Sequence, residues 1–227
     1  MSDPAKGRVA LVAALEREVR PLVKHWRIHE KVHDGRRFHF FENGDVVLVC
    51  GGIGSAAARR AAEAVIASFK PKTIYSVGFA GALNERLQIG DVVRPHAVIN
   101  ASDGSRVTLE GGEGILVSFD AVASPEQKSK LRDSFGAHAV DMEAAAVAQS
   151  AEARGIRFAA IKVISDGVDF EFPALERFVD SEGRFREGRF AAFAALRPWL
   201  WPQVARIARN SNLASRALCA CLPKTWA

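Results

Sequence analysis

The chain has 227 residues, of which 48% are hydrophobic and 25% are charged, and its formal net charge is +5 at pH 7. This is ordinary globular composition, which excludes a collagen, a coiled coil or a largely disordered chain. The longest apolar stretch near the N-terminus, residues 9–15, is too short for a membrane span and lacks a signal-peptide cleavage site. The three cysteines have no metal-ligand spacing, so we expect a reducing cytoplasm, no disulfide framework and no metal site.

The positive charge is concentrated at the C-terminal end. Residues 183–227 hold eight of the 31 basic residues and one of the 26 acidic residues, a net charge of +7, which leaves −2 for residues 1–182. A nucleic-acid-binding protein would carry its basic stripe on the fold itself, so we expect no nucleic-acid partner.

Strand-like and helical runs alternate along the first part of the chain. An apolar run typical of a buried strand is followed by apolar side chains at helical spacing. Asn43-Gly44 is a strong turn signal and predicts a hairpin. The pattern predicts strands at 8–15, 36–41, 45–50 and 71–80, with helices at 16–26 and 55–69.

The second half continues the alternation. The pattern predicts mostly β-structure over 90–119, helices at 125–135 and 142–154, and strands at 137–140 and 158–164. We therefore predict one α/β domain with a mixed sheet over residues 1–182, which we take as the catalytic domain. Residues 183–227 are predicted as a basic, helical C-terminal extension.

Three local features have both a structural and a functional interpretation. Gly51-Gly52-Ile53-Gly54, between a strand and a helix, could direct backbone N–H groups at an anion or a ribose, but tight turns of this kind need glycine anyway. Gly78-Phe79-Ala80-Gly81 has the same ambiguity. Asp166, directly after a β-rich run, is either a turn or N-cap residue or a carboxylate placed within reach of a substrate.

The order of the motifs is more specific than any single motif. "ALEREV", "GGIG", "GFAGAL" with "GD" soon after, "VDMEAAAVA" and "VISDGVD" follow one another over about residues 8–169. This series resembles the nucleoside phosphorylase and nucleosidase superfamily, especially the methylthioadenosine/S-adenosylhomocysteine nucleosidases. The shortened middle and the sequence from residue 183 onward look most like the hopanoid-associated phosphorylases, which are thought to remove adenine from adenosylhopane.

The resemblance implies a three-layer α/β/α fold and a homodimer, with no cofactor. It implies cleavage of the N-glycosidic bond of a purine nucleoside, an adenine nucleoside with a 5′ substituent, by water or phosphate. The alternative is a non-catalytic nucleoside-binding or membrane-surface protein that keeps the fold. Retention of three carboxylates argues against that alternative, because binding alone requires no acid at the purine.

The resemblance also assigns roles to individual residues. Asp166 acts at purine N7, with Ser165 orienting its carboxylate. Glu143 accepts hydrogen bonds from the ribose hydroxyls while Met142 packs on the sugar, and Glu18 holds and activates the attacking water. Without the resemblance, Glu143 reads as a first-turn partner of the helix dipole and Glu18 as a solvated first-turn glutamate.

Some positions depart from the family pattern. Lys162 stands where the nucleosidases usually have Arg, and a lysine loses the planar two-pronged pairing of a guanidinium. Phe79 and Ser76 stand where phosphorolytic relatives have phosphate-binding residues, which favours water as the nucleophile. The small pair Val122-Ala123 replaces an adenine-stacking pair and enlarges the pocket. We assign to the substrate-binding site Gly78, Phe79, Val122 and Ala123.

The extension has two interpretations as well. Read as a helix, it places apolar residues at steps of three, four or seven, from Leu200 to Leu222, with arginines largely on the other side. A terminal helix packed on the body or on a dimer partner explains this pattern. The alternative is a peripheral membrane contact through residues 199–227, with Trp199 and Trp201 as interfacial anchors on anionic lipid.

Overall fold

The computed structural model describes residues 7–171, 175–180 and 182–223. Its strands are β1 Val9–Ala13, β2 Arg27–His33, β3 Arg36–Asn43, β4 Val46–Cys50, β5 Thr73–Ala82, β6 Val92–Val93, β7 Ala97–Asn100, β8 Arg106–Thr108, β9 Ile115–Ser118, β10 Ala139–Asp141 and β11 Arg157–Asp166. Its helices are α1 Glu16–Val23, α2 Ser55–Phe69, α3 Pro125–Phe135, α4 Ala144–Glu152, α5 Glu187–Ala195 and α6 Trp201–Cys221, with short 3₁₀ turns at Leu175–Phe178 and Pro198–Leu200.

All the strands belong to one mixed sheet with the long strand β5 at its centre. β5 pairs in parallel with β1 and with β11, and β1 pairs in parallel with β4. Beyond the end of β1, β5 pairs antiparallel with β10, which leads to β9, β7 and β8. β2 and β3 extend the other edge as antiparallel strands.

Helices cover both faces of this sheet. On one face, α2 and α4 bury alanines and valines against β1, β4 and β5, together with Phe38 and Phe40 of β3. On the other face, α1 and α6 pack on each other and on β11. The predicted three-layer α/β/α fold with a central mixed sheet is therefore confirmed.

The C-terminal helix is part of the core. Ala214, Leu218 and Leu222 of the α6 region are completely buried and share one apolar cluster with Val19 and Val23 of α1. The spacing of these three residues places them on one face of the helix, while the arginines at 206, 209 and 216 are exposed. The helix thus packs on the body as one of the two interpretations expected; the domain boundary at residue 182 stays a prediction.

Several element bounds match the predictions and a few differ. The bounds of α2 and α3 are those predicted, and the Asn43-Gly44 hairpin joins β3 to β4. The strand β11 runs on through Asp166, past a bulge after Ile164, instead of stopping before Ser165. β2 was not predicted, because nearly all its side chains are exposed and it shows no buried face.

Within the described residues, no helix combines the length and the apolar character needed to cross a membrane.

Candidate active site

The predicted site residues meet where β1, β5, β10 and β11 end. Parallel strands place their carboxyl ends at one edge of a sheet, and ligand sites of open α/β folds lie at that edge. A cavity of about 540 Å³ opens there. Among the residues that line it are Glu18, Phe79, Val122, Ala123, Met142, Glu143, Ser165 and Asp166.

Glu18 is a buried carboxylate. It lies in the first turns of α1, yet it is only 5% exposed, so the interpretation as a solvated glutamate is wrong. Burial, and then the nearby charge of Glu143, raises the pKa of Glu18 to about 8. Its Oε2 has no hydrogen-bond partner within the described residues. A buried acceptor without a protein partner at a cavity is a site for a water molecule or a substrate hydroxyl.

Gly78 lies beside this carboxylate without being part of the cavity wall. A Cβ atom at position 78 would lie 2.6 Å from Oε2 of Glu18, and the φ of Gly78 is +143°. Both facts require glycine, because a side chain would displace the carboxylate and strain the backbone. Gly78 therefore makes room for Glu18.

Glu143 is held by backbone groups. It precedes α4 instead of occupying its first turn, and its side chain makes no helix-capping hydrogen bond. Its Oε1 accepts a hydrogen bond from Gly54 N at 2.9 Å, and its Oε2 accepts one from Met142 N at 3.3 Å. Burial raises the pKa of Glu143, while Lys162 acts in the opposite direction.

The Gly51–Gly54 loop supports Glu143 and does not present free donors. Gly51 N and Gly52 N donate to carbonyl groups of the β1 end, Ile53 N donates to Gly183 O, and Gly54 N donates to Glu143. These N–H groups are therefore used within the protein. The expectation that the loop could direct them at an anion or a ribose is corrected, because the chain itself occupies them.

Lys162 lies behind the two glutamates and is 1% exposed. Its Nζ is 2.7 Å from Oδ2 of Asp141 and 3.9 Å from Oε2 of Glu143. Burial alone would lower the pKa of Lys162, but the two carboxylates outweigh it and raise the pKa, so the side chain is charged. The lysine thus finds charged partners where the family pattern has arginine.

Asp141 anchors Lys162 and the start of α4. It accepts hydrogen bonds from the Ser118 hydroxyl at 2.6 Å and from Ala144 N at 2.9 Å. Ser118 also accepts a hydrogen bond from Ala145 N. This network fixes the backbone from which Met142 and Glu143 reach the cavity.

Asp166 carries a hydrogen-bonded partner on each oxygen. The Ser165 hydroxyl donates to Oδ1 at 2.8 Å, which is the contact expected of Ser165. Lys128 Nζ donates to Oδ2 and to the Gly167 carbonyl oxygen. Lys128 was not predicted as a site residue, because it stands in the polar helical sequence "SPEQKSKLR", where a solvated lysine is the ordinary expectation.

The remaining predicted residues have distinct positions. Phe79, Met142, Val122 and Ala123 line the cavity wall. Ser76 is completely buried outside the cavity lining, and its hydroxyl has no partner within the described residues.

The sequence profile of the Phosphorylase superfamily matches residues 8–126 and 112–195, which together cover most of the chain and every predicted site residue. The chain belongs to the Phosphorylase superfamily.

Individual relatives agree with this membership. The 5′-methylthioadenosine/S-adenosylhomocysteine nucleosidase of Staphylococcus aureus is 28% identical over 172 residues, 61% of this chain and 74% of that protein. The futalosine hydrolase of Helicobacter pylori superposes with a TM-score of 0.70 at 18% identity, covering 98% of this chain and 100% of the other. The nucleosidase of Neisseria meningitidis in complex with methylthio-immucillin-A gives 0.68 at 22% identity, covering 93% and 95%. At these identities the two structures establish the shared fold.

Apolar side chains near the C-terminal end of the chain form one wall of the cavity. Among them are Val179, Phe185, Phe190 and Ile207, while the centroid of the Phe170 ring lies 5.8 Å from Lys128 Nζ. Phe178 packs behind them, with its ring centroid 6.4 Å from that of Phe185 and 5.3 Å from that of Phe190. The cavity therefore combines buried carboxylates with an apolar wall.

A second cavity of about 450 Å³ shares Ala14, Leu15, Arg17 and Phe185 with the first. Arg36, Arg37 and Arg184 also line it. Two carbonyl groups, those of Gly51 and Glu182, accept hydrogen bonds from Arg36 at 3.4 Å and 3.3 Å. Four arginines and two glutamates, Glu16 and Glu187, therefore line this cavity.

Proposed function

We propose that this protein hydrolyses the N-glycosidic bond of a purine nucleoside. The observation that carries the proposal is the convergence of Glu18, Glu143 and Asp166 on one cavity, each held by a different element. Breaking this bond creates positive charge on the ribose and a purine that leaves poorly as an anion. The reaction therefore needs a proton at the base, negative charge near the sugar and a nucleophile.

The three carboxylates match these three needs. Asp166, held by Ser165 and Lys128, acts at purine N7. Glu143 binds the ribose hydroxyls and its charge stabilises the ribosyl cation, with Met142 against the sugar. Glu18 binds the attacking water through the oxygen that lacks a protein partner and takes a proton from that water.

Water is the nucleophile that the cavity supports best. Among the described residues, the basic side chains that line the cavity are Arg17 and Lys128. Lys128 is bound to Asp166, and the Arg17 guanidinium lies 4.9 Å from the centroid of the Phe185 ring. Phe79 offers no hydrogen-bond donor for an anion.

Phosphate is the second candidate, favoured by the arginines of the adjoining cavity. Product analysis in phosphate buffer separates the two reactions. We expect a free ribosyl product, which indicates hydrolysis. A ribose 1-phosphate product would show that the reaction is phosphorolysis instead.

The apolar wall supports a nucleoside with a large apolar 5′ substituent. With the base at Asp166 and the ribose at Glu143, the wall of Phe185 and Phe190 remains for the rest of the substrate. Burying an apolar group there contributes about 25 cal/mol per Å². Adenosylhopane, cleaved in hopanoid biosynthesis, is a substrate of this chemistry and is our specific proposal.

Adenine release from 5′-substituted adenosines tests the proposal. We expect release, with kcat/KM rising from a methylthio to a long alkyl 5′ substituent, and no requirement for phosphate. Binding without release from any of these compounds would instead identify a non-catalytic nucleoside-binding protein. The same assay with Phe185→Ala tests the apolar wall, because the preference for the long substituent should shrink.

We also propose a contact with anionic lipid at the turn between α5 and α6. Leu196 is 77% exposed, Trp199 is 69% exposed, and Trp201 is exposed as well. The neighbouring face of α6 carries exposed arginines at 206, 209 and 216. Exposed tryptophans beside basic residues fit the interface of an anionic membrane.

Deleting residues 199–227 would remove Leu218 and Leu222 from the core, so surface substitutions give the better test. Binding to phosphatidylglycerol vesicles should be salt-sensitive and should be lost in the double variant Leu196→Ser, Trp199→Ser. Equal binding by both proteins, or no binding at low salt, would contradict the contact.

A homodimer and a cytoplasmic location follow from the family resemblance and the cysteine content and stay predictions. Sedimentation equilibrium tests the dimer.

A further inference from the structure

The helix α3 contains a buried lysine at the edge of the cavity. Its buried side chains are Lys128 and Leu131. Lys128 is 3% exposed. Lysine is almost never fully buried unless its charge is paired, because removing an ammonium group from water is costly. The position therefore has a specific partner.

That partner is Asp166. Lys128 Nζ donates to Oδ2 of Asp166, while Ser165 occupies Oδ1. A Cβ atom at position 81 would lie 2.7 Å from Asp166 Oδ2 and 3.2 Å from Lys128 Nζ, so glycine is needed there to leave space for the pair. Both side chains also line the cavity. The pair is enclosed by the fold but open to a bound substrate.

The pairing changes which residue holds the proton needed at N7. A carboxylate only accepts hydrogen bonds, whereas the lysine ammonium group carries three N–H donors. In this pair the N–H that points at Oδ2 of Asp166 belongs to Lys128. We propose that Lys128 is the proton source of the reaction and that Asp166 passes its proton to purine N7. This inference rests on the proposed function.

Cleavage delivers one proton to the purine and one to Glu18. The electron pair of the C1′–N9 bond moves into the purine as that bond breaks, and N7 gains a proton from Oδ2 of Asp166. Oδ2 takes a proton from Nζ, so Asp166 remains a carboxylate and Lys128 becomes a neutral amine. The attacking water forms the C1′–O bond and gives a proton to Glu18. Solvent protons restore Lys128 after the products leave.

Two other roles would place Lys128 in the same position. It could stabilise the charge of Asp166 without releasing a proton, or it could simply tie α3 to the end of β11. Lys128→Arg tests the first role. A guanidinium keeps the positive charge but is effectively always protonated, so this variant can stabilise Asp166 but cannot supply a proton. An N7-methylated nucleoside distinguishes the second, because its base already carries the positive charge that protonation would supply.

The experiment compares Lys128→Gln and Lys128→Arg with the unsubstituted protein on a 5′-alkylthioadenosine and on its N7-methyl derivative. We expect both variants to lose about 10²–10⁴-fold in kcat on the first compound, the usual range for general-acid assistance. On the N7-methyl compound we expect kcat close to that of the unsubstituted protein. Lys130→Gln is the control, because Lys130 lies on the same helix with its side chain 70% exposed.

Each other outcome overturns the inference in a recognisable way. Activity of Lys128→Arg near that of the unsubstituted protein would show that charge alone suffices. Equal losses on both compounds would show a structural role. Cleavage of neither compound by the unsubstituted protein would overturn the proposed function itself.

Discussion

Lys162 Nζ lies 2.7 Å from Oδ2 of Asp141, and both side chains are enclosed by the fold. The same aspartate binds Ser118 and the start of α4, and the same lysine lies 3.9 Å from Glu143. A structural ion pair therefore supports the carboxylate that we predict to bind the ribose, Glu143. Burial raises the pKa of Glu143, and the positive charge of Lys162 acts against that rise.

Removing this lysine should destabilise the protein strongly. Lys162→Met leaves Asp141 buried without its counter-charge, which typically costs about 3–5 kcal/mol of the free energy of unfolding. Urea denaturation measures the loss. Lys162→Arg keeps the charge and should lose less, and Lys130→Met, at an exposed pair with Glu126, should leave the midpoint unchanged. A Met variant as stable as the unsubstituted protein would show that the pair contributes nothing.

The raised pKa of Glu18 makes stability depend on pH. Because the pKa is about 8 in the folded chain and 4.5 as its ordinary value, the folded chain holds the proton more tightly. Stability is therefore lost as pH rises between these values. Glu18→Gln cannot ionise, so its free energy of unfolding should exceed that of the unsubstituted protein by an amount that grows over this window, to a few kcal/mol. A difference independent of pH would contradict the raised pKa.

Much of the fold was predictable because its signals are local. Ser124 and Gln127 form a capping box at the start of α3, and Gly136 ends that helix in a left-handed conformation. The start of α2 follows the glycine loop, and Lys70 closes it before Pro71. Such signals need only a few neighbouring residues, so both helices were predicted with their observed bounds.

The state of the site residues was less predictable because it depends on distant contacts. Glu18 is buried partly because α6 lies on α1: the Cys219 thiol donates to the Glu18 carbonyl oxygen at 3.8 Å, across 201 positions of sequence. Lys128 is buried because α3 turns it toward the end of β11. The sequence around each of these two residues is the same as would be expected around a solvent-exposed side chain.

Glu18 should also control activity. A base for water must be ionised, so kcat/KM should rise with pH up to about 8, the pKa of Glu18 in the folded chain. Glu18→Gln should lose about 10²–10⁴-fold in kcat and lack this rise. Glu16→Gln is the matched control, since Glu16 is exposed in the same turn. The rising limb persisting in the Glu18→Gln profile would assign it to another group.

Glu143 should determine ribose recognition. Glu143→Gln puts an amide NH₂ against one of two backbone donors, Gly54 N or Met142 N, and removes the charge beneath the ribose. Loss of a hydrogen bond to a charged group costs about 1.5–3 kcal/mol, so kcat/KM should fall roughly 10- to 100-fold. Discrimination between ribo and 2′-deoxy substrates should shrink, while Glu152→Gln, at the exposed far end of the helix that Glu143 precedes, should change neither. Undiminished discrimination would remove Glu143 from the ribose site.

Asp166 gives the most direct test of the mechanism. Asp166→Asn keeps the shape of the side chain and can still contact Ser165, but the amide cannot pass a proton to N7, so kcat should fall about 10²–10⁴-fold. The loss should appear in single-turnover cleavage of an adenine nucleoside while substrate binding persists, because the change affects the transition state more than the bound substrate. Asp169→Asn, three residues away and exposed, serves as the control and should keep full activity. If Asp166→Asn retains near-normal kcat, protonation of the purine proceeds without this carboxylate and the assignment of the acid is wrong.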